Sequence, residues 1–125
     1  MYLVIDCTKK EQIALSLVCS AIDIRIYEQS GRQVELLMAI HTFFTREHIE
    51  PRQVSGVCAL TGEGSFTSSR LAVLCGNVFH FVYGVPVVTM NTQTICSFDA
   101  LCTLFRNATG GYVVATYSGL PNIRS

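Results

Sequence analysis

The chain has 125 residues, nine Lys or Arg against nine Asp or Glu, and 14% charged side chains, against about 25% in ordinary domains. That length allows one domain with one core, and the balanced charge excludes the basic footprint of a protein that grips nucleic acid strongly by itself. Half of the residues are apolar, so apolar surface shown to a partner is expected.

Tyr2 to Asp6, YLVID, reads as a short buried strand. The start is no signal peptide, because it lacks a basic region and meets an acid at once; a cytoplasmic location is expected. Cys7 to Glu11 is a polar turn, and Gln12 to Ser20 is a second strand. Ile22 to Glu28 alternates, with Ile22, Ile24 and Ile26 on one face and Asp23, Arg25 and Tyr27 on the other. This predicts a half-exposed strand at or near a sheet edge. Three strands with short turns make an antiparallel meander.

Ser30-Gly31 breaks the pattern. From Arg32 to about Thr45 a helical spacing puts Val34, Leu37, Met38, His41 and Phe44 on one stripe and Leu36, Ile40 and Phe43 on another. Pro51 closes the connection. Val54 to Leu60 predicts a buried strand, and Phe66 to Tyr83 a helix with Gly84 as C-cap. Leu71 to Val88 is the most membrane-like stretch, but Asn77, His80, Gly84 and Pro86 favour helix, turn and strand over a span. Val85 to Met90 is the next strand. Ser97 to Asn107 is a third helix, with Ser97 as N-cap and Asp99 in its first turn. Gly110-Gly111 breaks it, and Tyr112 to Tyr117 is a last strand.

This order, β-β-β-α-β-α-β-α plus a strand, predicts an α/β fold. A meander followed by right-handed crossovers gives a mixed five-stranded sheet with helices on both faces. It is the half-domain plan of the actin-like ATPases, itself similar to ribonuclease H.

Reactive side chains form no recognisable site. Cys7, Cys19, Cys58, Cys75, Cys96 and Cys102 include no CxxC pair, and most lie in apolar runs, as reduced buried thiols do. His41, His48 and His80 are far apart, and no HExxH or other zinc triad exists. Cys7 as a nucleophile would need a base within reach, so an inert thiol is expected. No metal ligand and no catalytic residue is assigned.

Gly62 to Arg70, GEGSFTSSR, joins a strand to a helix, where free N–H groups can hold an anion. It lacks the lysine of a P-loop and the third glycine of GxGxxG. Read by itself, it gives Gly62 and Gly64 backbone freedom and makes Ser65 a helix cap.

Read longer, the stretch resembles the GPGSFTGxR hallmark of the TsaB (YeaZ) family, through Gly62, Gly64, Ser65, Phe66, Thr67 and Arg70. Pro86 falls at the next strand's proline. Ile5-Asp6-Cys7-Thr8 is similar to the family's first strand and turn, and Gln33 to Leu37 to its HSExLL segment. The resemblance runs from about Tyr2 to Tyr117. Glu63, Ser68, Gln33 and Asn91-Thr92 depart from the pattern. The family has a second, similar domain, so residues 1–111 are expected to be the N-terminal domain and residues 112–125 a terminal strand and tail left from the second.

The resemblance implies a non-catalytic subunit in the synthesis of threonylcarbamoyladenosine on tRNA, touching tRNA only indirectly and no membrane. It implies docking through the first two helices on the catalytic subunit TsaD or on a second copy. Both helices carry two apolar stripes, so each is expected to be covered on two sides. Ala72 and Gly76, spaced i and i+4, would let a foreign helix approach. The expected interface is Val34, Leu37, His41, Ala72, Gly76 and Phe79, and Gly76→Leu is expected to split the assembly while sparing the fold. Asp6 and Thr8 occupy the place of a phosphate site, which the resemblance makes vestigial without a second domain, and no cofactor is expected. The alternatives are a reduced actin-like domain that binds nucleotide, and a self-associating homodimer without a tRNA role.

Overall fold

The computed structural model describes residues 1–8, 11–31, 35–60, 66–90 and 98–106. Strands β1 (Tyr2–Asp6), β2 (Gln12–Val18) and β3 (Ile24–Ser30) precede helix α1 (Leu36–Glu47). A 3₁₀ turn (Pro51–Gln53), β4 (Gly56–Leu60), α2 (Phe66–Tyr83), β5 (Val87–Met90) and α3 (Phe98–Arg106) follow. The five strands form one mixed sheet in the order β3-β2-β1-β4-β5. The β1–β2 and β2–β3 pairs are antiparallel, and β1–β4 and β4–β5 are parallel.

Period-two alternation divides the sheet into two faces. Leu3, Ile5, Ile13, Leu15 and Leu17 point to one side and are fully buried against α1 and α2. Val4, Val18, Cys58, Leu60 and Val88 point to the other, where Leu101 of α3 covers them. Strand β4 is buried along its whole length, as a central parallel strand covered on both faces must be. Helices therefore lie on both faces, as the order of elements predicts.

Strand β3 lies at the edge, as its alternation predicts, but starts two residues later than expected. Ser20 Oγ accepts the Ile22 and Asp23 N–H groups at 3.3 and 3.0 Å, and Asp23 O accepts the Cys19 and Ser20 N–H groups. This turn consumes the first residues of the alternating run. Strand β4 likewise starts late, because Glu50 and Gln53 form a capping box around the 3₁₀ turn, and Val54 N–H donates to Pro51 O. The α2 terminus is the expected one: Gly84 has φ +71 and its N–H donates to His80 O at 2.8 Å. Among the described residues no helix is long and apolar enough to cross a membrane. The predicted cap Ser97 and the predicted strand Tyr112 to Tyr117 lie outside the described residues.

Helix α3 is held by a ring stack. Tyr2 and Phe105 lie 4.6 Å apart at 5°, and the Tyr2 hydroxyl donates to Cys102 Sγ at 3.8 Å. Gly56 makes room for this stack, because a Cβ there would sit 2.6 Å from Phe105 Cε1. Gly56→Ala is expected to cost about 1–3 kcal/mol in urea unfolding by displacing the ring. The same change should cost less in a Phe105→Leu background, where the obstructing ring atoms are gone.

Candidate functional site

Helices α1 and α2 lie side by side on one face of the sheet, α1 over β2 and α2 over β4 and β5. Helix α1 buries Leu36, Ala39, Ile40, Phe43 and Phe44. Helix α2 buries Ala72, Val73, Cys75, Gly76 and Phe79. The two meet edge to face, with the Phe44 and Phe79 rings 6.2 Å apart at 65°. Each helix therefore spends one stripe on its own sheet and its neighbour.

The second stripe of each helix is bare. Leu37 and Met38 on α1 are 61% and 65% exposed, and Leu74, Phe81 and Val82 on α2 are 58%, 68% and 60% exposed. Val78 and His41 are also exposed. Leu74, Val78, Phe81 and Val82 stand at i, i+4, i+7 and i+8, so they form one continuous apolar strip. Lone exposed apolar residues need no explanation, but a contiguous patch of them on neighbouring helices marks an interaction surface.

The structure changes the membership of the expected interface. Leu37 and His41 face outward, and Val34 lies outside the described residues. Ala72, Gly76 and Phe79 face inward instead. A Cβ on Gly76 would meet Val87 Cγ1 at 2.8 Å and Val57 Cγ1 at 3.6 Å. The small residue at position 76 thus lets α2 settle on β4 and β5, not a foreign helix on α2. One sequence signal marks the outward pole: Arg70, the single formal charge of α2, is exposed, and Leu74 and Val78 follow it at i+4 and i+8.

The turn after β1 is closed on itself. Asp6 Oδ1 accepts the Thr8 N–H at 2.9 Å and the Thr8 hydroxyl, and Thr8 is buried. Asp6 pairs with Leu60 across the parallel β1–β4 ladder, so the carboxyl ends of β1 and β4 lie side by side. Such carboxyl ends of parallel strands are where ligands bind in α/β sheets. Of the hallmark residues, Gly62, Gly64 and Ser65 lie outside the described residues, and Phe66 and Thr67 are in the first turn of α2. Among the described residues no three His, Cys, Asp or Glu come together to hold a metal.

Cys7 is fully buried beneath the helices. Burial pushes its thiol up to about 12, with Cys75 and Asp6 adding to the shift. Burial also lifts Cys75 to about 11. A nucleophilic cysteine needs the opposite shift, so these two thiols have the environment of inert packing groups.

No protein-family model matches the chain, and no curated protein matches it. Its fold is that of YeaZ from Pseudomonas aeruginosa, with TM-score 0.64 and 18% identity over 72% of this chain and 42% of that one. A second structure, an uncharacterized protein with similarity to the peptidase YeaZ from Pseudomonas aeruginosa, gives TM-score 0.63 and 17% identity over the same shares, 72% and 42%. The matched region is thus under half the length of either relative. The expected actin-like, ribonuclease H-like half-domain is the fold found.

Two outcomes follow. Gly76→Leu should destabilise the domain itself, by about 1–3 kcal/mol or more, because Val87 and Val57 fill the space; thermal unfolding reads this directly. The thiol shifts set an alkaline limit. A thiol raised from an ordinary 9.0 to about 11 keeps its native proton more tightly than the unfolded chain does. Its contribution is complete below pH 9 and lost as pH rises through about 11. Cys75→Ala should therefore lose less stability than the parent between about pH 9 and 11, measured by urea midpoints.

Proposed function

We propose that this chain is a TsaB-like assembly subunit that carries no catalytic residue and docks the outer face of α1 and α2 on a TsaD-like catalytic subunit. In that complex it would support threonylcarbamoyl transfer to tRNA adenosine, meeting tRNA only indirectly. The observation that carries the reading is the bare apolar strip Leu74, Val78, Phe81 and Val82, flanked by Leu37 and Met38. The fold shared with YeaZ supports it.

The physics of such a surface is simple. Apolar area of this kind gains about 25 cal/mol for each Å² removed from water. A helix face that is apolar and already ordered docks in a groove or against another helix through i, i+4 and i+7 anchors. Phe81 is the natural central anchor, because aromatic side chains dominate interface energetics. Leu37 and His41, expected as interface residues, keep that assignment. The burial of Ala72, Gly76 and Phe79 moves the contribution of α2 to the opposite side of that helix.

Val78→Glu combined with Phe81→Glu should weaken binding to a TsaD-like subunit by about a hundredfold or more, since loss of a few central anchors removes several kcal/mol. The melting temperature should hardly move, because both side chains face outward. Isothermal calorimetry with the purified subunit measures the affinity. Unchanged affinity in the double variant would overturn the assignment of this face.

A further inference from the structure

Arg70, Leu74, Val78 and Val82 follow one another along α2 at steps of four residues. Such a row is the ridge that one helix presents to the groove of another. All four residues are exposed. The row ends at Val82, because Gly84 takes a left-handed φ of +71 and closes the helix. The ridge therefore holds one cation at its start and three apolar side chains after it.

Apolar contact is non-directional. A partner shifted by four residues, about 6 Å along the helix, still meets two of the three apolar side chains. A charge in the same row is less tolerant. A guanidinium pressed against apolar atoms loses its hydration and gains no hydrogen bond in return. One polar group in an apolar seam fixes register in this way between paired helices.

The neighbouring helix offers Arg70 no acid. The exposed residues of α1 from Leu37 to Thr45 are Leu37, Met38, His41, Thr42 and Thr45. Glu47, at the end of α1, is engaged by Arg25 and Arg46. Arg46 itself is turned to the β3 side, over the Tyr27 and Phe43 rings at 5.1 and 5.3 Å. None of the ion pairs among the described residues includes Arg70.

We infer that Arg70 sets the register of docking, and that the protein surface received by this face carries a carboxylate opposite Arg70 at the end of an apolar groove. The inference rests on the docking reading proposed above and names the chemistry of the partner at that site. The guanidinium donates to both carboxylate oxygens as a fork. A slip of one turn in either direction separates the two charges. Only one register then keeps the ion pair together with all three apolar contacts.

The test is calorimetry of the full chain with a purified, RNA-free TsaD-like subunit at about 50 and about 500 mM salt. Arg70→Leu adds apolar area and removes the charge. It should weaken binding about tenfold at low salt and flatten the salt dependence. Arg70→Lys should keep most of the affinity, and Arg70→Glu should lose about a hundredfold. Arg52→Gln, on the 3₁₀ turn, should leave binding unchanged. Circular dichroism should stay native throughout, because Arg70 is exposed. Arg70→Leu that binds as tightly as the parent or more tightly, a salt response it does not alter, or a charge effect seen only after tRNA is added would each overturn this inference and leave the docking face standing. A parent that does not bind at all would remove the docking reading and this inference with it.

Discussion

The contact between Gly76 and Val87 decides how the rest of the surface is arranged. With no side chain at position 76, α2 lies close enough to β5 that an added Cβ would stand 2.8 Å from Val87 Cγ1. Once that stripe of α2 is pressed on the sheet, helical geometry sends Leu74, Val78 and Phe81 to the far side. The Phe44–Phe79 contact then sets α1 beside α2, which brings Leu37 and Met38 to the same outer layer. The candidate interface is therefore a consequence of packing, with no separate element built to carry it.

The architecture was legible in the sequence because its signals were periodic. Ile22, Ile24 and Ile26 alternated as an edge strand should, and β4 read as the continuous apolar run of a buried parallel strand. The bounds of α2 were marked by the Gly-rich stretch before it and by Gly84 after it. The orientation of α2 was not legible. Both of its stripes are apolar, so the pattern that normally names the buried face was silent. Reading Ala72 and Gly76 as a seat for a foreign helix rested on residue size, and size reports close approach without saying what approaches. Arg70 held the answer, since a lone charge on a greasy helix points to water.

The strand starts were missed for a local reason. Ser20 and the Glu50–Gln53 pair redirect backbone hydrogen bonds into turns, and these side-chain competitors override a run of strand-forming residues. Asp6 behaves in the same way. Its carboxylate serves Thr8 in a tight turn, a structural use of a residue that its position in the sheet would otherwise assign to ligand chemistry.

Methyl-resolved NMR of the isotopically labelled chain, titrated with an unlabelled TsaD-like subunit, tests the central claim most directly. The methyl signals of Leu37, Leu74, Val78 and Val82 should shift or broaden first, while those of Leu3, Ile13 and Val57 in the core and Ile24 and Ile26 on β3 stay in place. Saturating partner that leaves the α2 methyls unmoved, or that perturbs only the β3 edge, would contradict the account.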